Sequence, residues 1–213
     1  MNSSNSSVLR HRDPAFAIHG DRRIGLLGGS FNPAHEGHRH ISLLALKLLG
    51  LHQVWWLVSP QNPLKPSRGM APFEDRTTEA RVVARHPLIR VSEIEASLGT
   101  RYTADTLQVL NTTHRHMRFV WIMGADNLLQ LPGWRRWPDI FESVPIAVFD
   151  RPTYSLRALQ GKAARRFRGA RIHPRQARRL ASLTPPAWVF LDRARDPRSA
   201  TAIRVQRGDA NPS

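Results

Sequence analysis

Short apolar runs alternate with stretches of helical spacing along most of the 213 residues, and this alternation constrains the fold more than any other feature. The clearest run, residues 53–59, holds Val54, Trp55, Trp56, Leu57 and Val58 in succession. A strand that is apolar on both faces needs cover on both faces, which is the situation in a parallel sheet. Comparable runs at 23–27, 89–94, 118–123, 145–149 and 187–191 predict further strands. Between them, helical spacing is expected over 39–49, 72–85, 104–111, 127–131 and 137–142, with Thr103 as the N-cap of the third. Ser199 would cap a terminal helix. Repeated strand–loop–helix units predict a single α/β domain with a doubly wound, mainly parallel sheet. Ligands of such sheets lie outside the carboxyl ends of the strands, where the winding order switches. Gly28, Ser59, Gly124 and Asp150 each follow a strand and so belong to one surface.

Composition removes several classes of chemistry. The chain has no cysteine, which excludes disulfides, thiolate metal sites and cysteine nucleophiles. No apolar run approaches a membrane span, and the first thirteen residues lack the apolar segment of a secretory signal. A cytoplasmic protein without a membrane partner is expected. Residues 1–20 are expected to form a disordered arm, 21–207 the domain, and 208–213 a tail. The formal charge of +16 is unevenly placed: from Arg151 to Ser213 there are 15 Lys/Arg against 3 Asp/Glu. Most of this excess falls in a basic insertion expected at about 153–185, where Arg157 to Arg179 includes no acid. Such a balance suits acidic partners in general, whether nucleic acid, anionic membrane or phosphorylated small molecules.

The sharpest motif is G-G-S-F-N-P-A-H-E-G-H, from Gly28 to His38. It is neither the dinucleotide fingerprint, whose glycine spacing it lacks, nor a P-loop, whose Lys-Ser/Thr it lacks. The glycine pair closes a strand and the histidines open a helix. Helix N-termini present unpaired N–H groups to anions, and imidazoles donate to phosphate oxygens. His35 and His38, three apart, should share one face of the first turn. Their spacing is not that of a zinc helix, and no protein metal site is expected.

Weaker signals follow, each with a plainer explanation. Lys65 lies in the Pro-rich loop 60–66 and could reach a polyphosphate or simply be solvated. Gly124 and Asp126 could meet a ribose or form an ordinary turn. Trp134 and Trp137 could stack on a heterocycle, although tryptophans three apart are more often core. Ser199, Thr201 and Arg204 form S-x-T-x-x-R at a helix start, a second anion site; capping alone explains the serine but not the arginine.

Taken in order, these stretches resemble the H-x-G-H nucleotidyltransferase superfamily. Within it they resemble bacterial nicotinate-nucleotide adenylyltransferases, through V-W-W-L-V-S-P-Q-N-P-L-K, R-Y-T-A-D-T-L, I-M-G-A-D-N-L-L-Q-L-P-G-W-R-R-W and S-A-T-A-I-R. The resemblance implies a Rossmann-like nucleotidyltransferase fold and adenylyl transfer from ATP to nicotinate mononucleotide, with Mg²⁺ accompanying ATP. It implies His35, His38 and Arg204 as catalytic residues. ATP would be bound by Gly28, Gly29, Ser30, Phe31, His35, His38, Lys65, Gly124, Asp126, Ser199, Thr201 and Arg204. Nicotinate mononucleotide would meet Ser30, Phe31, Thr103, Ala104 and Trp134. Ala200 replaces a usual serine and Asn62 a frequent proline. Alternatives are a sister enzyme acting on nicotinamide mononucleotide or phosphopantetheine, and a nucleic-acid-binding protein using the basic segment. No nucleic-acid motif accompanies that segment, so nucleic acid is not the expected partner. A homo-oligomer is left open by the sequence.

Overall fold

The computed structural model describes residues 22–60, 69–150 and 154–192. Seven strands form one parallel sheet: β1 (Arg22–Gly29), β2 (Gln53–Val58), β3 (Ile89–Ser92), β4 (Met117–Gly124), β5 (Ile146–Phe149), β6 (Arg171–Ile172) and β7 (Trp188–Leu191). Their order is β3-β2-β1-β4-β5-β7-β6, so the winding reverses between β1 and β4. The expected doubly wound sheet is therefore present, and its switch point lies between β1 and β4.

The apolar runs are explained by burial on two sides. In β2, Trp55 and Leu57 face one core, while Val54, Trp56 and Val58 face the other. In β4 the same split separates Phe119, Trp121 and Met123 from Val120 and Ile122. The first core is covered by α4 (Thr103–Thr113), α6 (Trp137–Ser143), α7 (Ser155–Leu159) and α8 (Lys162–Arg166), through Leu107, Phe141, Ala158 and Ala163 among others. The second is covered by α1 (Glu36–Leu49), α2 (Phe73–Ala84) and a 3₁₀ stretch, Pro174–Ser182. Two short helices complete the fold, α3 (Ile94–Leu98) and α5 (Ala125–Gln130).

Several boundaries differ from expectation for local reasons. Helix α1 begins at Glu36, three residues early, because His35 caps it. Strand β3 stops at Ser92, and the Ile94 expected at its end starts α3, whose first N–H region is met by the Ser92 hydroxyl, 3.2 Å from Ile94 N. Tyr102, not Thr103, is the N-cap residue of α4, and Thr103 is its first helical residue. Asp126 lies inside the first turn of α5 rather than in a turn before it.

The described part of the basic segment is built into the domain rather than looped out. Its Ala158, Ala164, Phe167, Ala177 and Leu180 are buried, and β6 pairs with β7. Some of its arginines roof aromatic rings, Arg166 at 5.4 Å from the Trp137 centroid and Arg171 at 5.3 Å from that of Trp188.

Candidate active site

The loop from Gly28 to His38 forms a cradle at the carboxyl end of β1. Gly28 continues the β1–β2 pairing opposite Leu57, and Ser59 N donates to Gly29 O at 2.9 Å, which seats the cradle against the end of β2. Phe31 turns the chain at φ +47°, a left-handed conformation that a bulky residue adopts only when its surroundings impose it. Those surroundings are visible: the ring is buried, stacks on Trp56 at 5.0 Å and underlies His38 at 4.8 Å. Its side chain is thus a floor beneath the histidine, and only its backbone is left to meet a ligand. Asn32 ties the cradle to the approach of α2, donating to Gly69 O at 3.1 Å and accepting from Ala71 N at 3.2 Å.

The two histidines do not merely share a helix face. His35 is the N-cap and His38 the third residue, and together they close a capping box. His35 Nδ1 accepts from Gly37 N at 3.1 Å, and His38 Nδ1 accepts from His35 N at 3.2 Å. With both Nδ1 lone pairs engaged by backbone N–H groups, each neutral ring carries its proton on Nε2. The rings lie 3.8 Å apart. The pair therefore sets two Nε2–H groups beside the N-terminus of a fourteen-residue helix, that of His35 buried, and both are donors of the type suited to phosphate oxygens.

A second group gathers at the ends of β3 and β4. Gly124 caps α5 with extended backbone, and Asp126 sits half-buried in that helix's first turn, next to the switch point. Thr103 and Ala104 open α4, where the first intrahelical bonds are those from Asp105 N and Thr106 N to Tyr102 O, at 3.0 and 3.1 Å. Trp134, half-buried against the first core, follows the 3₁₀ turn Leu131–Gly133. Trp137, the other tryptophan of that motif, is core.

Two contacts bind the Trp134 loop to the start of α4. Arg135 lies over the Tyr102 ring at 4.6 Å, and Arg136 Nη1 pairs with Asp105 Oδ1 at 3.0 Å while Arg136 also holds Asp139 at 2.7 Å. Arg136 takes φ +52° to do so. The sequence reasoning missed Arg136, and also Arg76 and Glu95, whose importance is positional. An arginine or glutamate in a polar-looking helix carries no signal of its burial.

Of the expected site residues, Gly28, Gly29, Ser30, Phe31, His35 and His38 form the cradle, Gly124 and Asp126 follow β4, and Thr103, Ala104 and Trp134 form the second group. Lys65, Ser199, Thr201 and Arg204, with Asn62, Ala200, the arm and the terminal helix, lie outside the described residues. Among the described residues no group of three or more His, Asp or Glu side chains is placed to hold a metal ion, and no helix is long and apolar enough to cross a membrane.

A parallel sheet wound in this order, with a capped His-x-x-His cradle at its switch point, defines a nucleotidyltransferase, and a family model described as cytidylyltransferase-like matches residues 26–206. Proteins named probable nicotinate-nucleotide adenylyltransferase from Parvibaculum lavamentivorans and a Bradyrhizobium species are 54% and 52% identical to this chain; each match covers 87% of it, with 92% and 97% of the relative. The chain belongs to the nicotinate-nucleotide adenylyltransferase family. Among solved structures, the nicotinic acid mononucleotide adenylyltransferase of Plasmodium falciparum complexed with NaAD aligns with a TM-score of 0.64 at 14% identity, covering 86% of this chain and 83% of that one. At that identity the likeness concerns the fold.

Proposed function

We propose that the chain transfers the adenylyl group of ATP to nicotinate mononucleotide, giving nicotinic acid adenine dinucleotide and pyrophosphate. The observation that supports this beyond family membership is the His35–His38 capping box, which fixes both rings at the start of α1 through their Nδ1 atoms and so orients Nε2–H groups of the type that binds a polyphosphate. The 5′-phosphate oxygen of the acceptor attacks the α-phosphorus in line, the α–β bridging bond breaks, and pyrophosphate leaves with that electron pair. The protein supplies positioning and charge stabilisation rather than a covalent intermediate. His35 and His38, with Ser30 and the Gly28–Phe31 backbone, hold the ATP phosphates; Lys65, Ser199, Thr201 and Arg204 complete the grip, Arg204 as a catalytic cation. Gly124 and Asp126 take the adenosine ribose, the carboxylate accepting from hydroxyls.

Trp134 stacks on the pyridine, and the N–H groups of Thr103 and Ala104 face its carboxylate. Donors there favour the acid over the amide, whose own N–H₂ would oppose them. Mg²⁺ would enter with ATP and be held largely by its phosphates and water. When bound, the ion neutralises phosphate charge. The reaction belongs to NAD biosynthesis, and a cytoplasmic location is part of the proposal.

The test is pyrophosphate release from ATP with nicotinate mononucleotide, compared with the amide and with phosphopantetheine. Turnover with the acid preferred is expected; no turnover with it refutes the activity, and a preference for the amide overturns the role of Thr103 and Ala104. His38→Ala should lower kcat by roughly 100-fold, the scale of one lost transition-state donor, while the protein still folds. A near-normal kcat would remove His38 from the phosphate site.

A further inference from the structure

Two charged residues that the chemistry above does not use are buried between its two halves. Arg76, on α2, is 1% exposed. Its guanidinium donates to four backbone carbonyls: Nη1 to Ser30 O at 2.5 Å and Ser59 O at 2.8 Å, Nη2 to Pro60 O at 2.8 Å, and Nε to Ala71 O at 3.0 Å. It therefore ties the cradle to the end of β2 and to the approach of its own helix. Glu95, on α3, is 7% exposed. Its carboxyl accepts from the Thr106 hydroxyl at 3.3 Å and interacts with the Ser59 side chain. Thr106 sits in the first turn of α4, within 2.9 Å of the Thr100 hydroxyl, and Thr100 N donates to Glu95 O at 3.1 Å.

Ser59 is the joint. Its N–H holds Gly29 O, its carbonyl accepts from Arg76, and its side chain meets Glu95. A series of polar contacts thus runs from Ser30 in the cradle through Arg76 and Ser59 to Glu95 and on to Thr106 in the acceptor helix. Burying a guanidinium and a carboxyl costs several kcal/mol each unless their bonds are met, and apolar side chains would fill the same space without that cost. What apolar packing does not supply is a fixed register between the two loops.

We infer that Arg76, Ser59, Glu95 and Thr106 are positioning residues that hold the ATP cradle and the acceptor helix at one mutual spacing, an inference that rests on the function proposed above. In-line transfer is steep in this spacing, since a misplacement of about 1 Å can cost on the order of 100-fold in rate. The loss should therefore fall on kcat rather than on either KM.

The experiment is a double-mutant cycle on the full chain with Arg76→Lys, which keeps the charge but loses the fork, and Thr106→Val, which keeps the shape but loses the hydroxyl. Each should lower kcat at least tenfold with both KM values within threefold. The double variant should lose no more than the worse single one, because both act on one spacing. Losses that multiply, or a wild-type kcat in either variant, overturn the relay. Circular dichroism and thermal unfolding establish folding, and Ser59→Ala replaces Arg76→Lys if the latter does not fold. Should the wild-type protein not turn over nicotinate mononucleotide, the proposed activity fails by itself. The relay is then judged by the same cycle read in urea unfolding, where the stability losses of Arg76→Lys and Thr106→Val should be coupled; losses that simply add overturn it.

Discussion

At Gly28 an added methyl would lie 2.4 Å from Trp121 Cη2, so the indole of β4 packs directly beneath the cradle's first residue. Glycine at this position makes room for a tryptophan, whose ring a rigid sheet holds in place. Gly28→Ala should therefore destabilise the protein by about 1–3 kcal/mol, the range for overpacking a filled core, as measured by urea unfolding. Glu95 carries a different consequence. Burial pushes its carboxyl from 4.5 up to about 7, against the smaller opposing effect of the hydrogen bonds from Thr106 and Ser59, and both of these partners are uncharged. Because the folded state holds this proton more tightly than the unfolded chain, its contribution to stability is complete below about pH 4.5 and is lost as pH rises through 7. That difference is on the order of 3 kcal/mol across the window. Unfolding free energies at pH 5 and 8.5 should show it, and Glu95→Gln, which has no proton to lose, should remove that part of the slope. Neither effect is legible in the sequence: the first depends on β1–β4 adjacency and the second on three segments that meet only after folding.

The elements tell a mixed story. Strand runs were legible because two-sided burial leaves continuous apolar stretches such as Val54–Val58, and the helices α1, α2, α4 and α6 were legible from spacing. Helix starts were less so. Histidine is not a usual cap, so nothing in A-H-E-G-H announced that His35 would close a capping box with His38. The short α3 was hidden because Ile94 prolongs the β3 pattern by one residue. The start of α4 and the Trp134 loop were each marked by their motifs, yet the Arg136 clasp between them was not, since Asp105 and Arg136 lie 31 residues apart. This clasp is exposed on both sides. Arg136→Ala should cost under about 1 kcal/mol of stability, as exposed ion pairs do. It should nevertheless raise KM for nicotinate mononucleotide several-fold while leaving that for ATP within twofold, in initial-rate measurements with each substrate varied.

Over the whole molecule the formal charge of +16 works against compactness. Side-chain ion pairs such as Arg39–Glu36, Arg81–Glu93 and Arg136–Asp105 lie on surface groups. Added salt screens such repulsion beyond roughly 10 Å at 0.1 M. The melting temperature should thus rise between about 10 and 200 mM sodium chloride, in a thermal scan without nucleotide, whereas a fall would mean that the surface ion pairs outweigh the repulsion. The doubly wound architecture was legible in the order of the runs. The lodging of the basic segment was not, because its apolar positions are outnumbered by arginines. Arg166 and Arg171 lie across aromatic rims, where a long cationic side chain covers ring surface and keeps its charge in water.

The exposed clasp has a consequence for how such an enzyme can change. The residues proposed to grip phosphate are also the cap of α1 and the roof over Phe31 and Trp56, so altering them costs some stability as well as chemistry. The region proposed to take the acceptor is fastened by Arg135 and Arg136 at the surface, where a substitution perturbs little else. A designer seeking a new acceptor for the same adenylyl donor should therefore diversify exposed positions such as Arg101, Arg135 and Arg136, and leave buried Ala104 and Trp137 and the cradle untouched. Natural drift in acceptor choice would meet the same division between a half that is costly to edit and a half that is cheap.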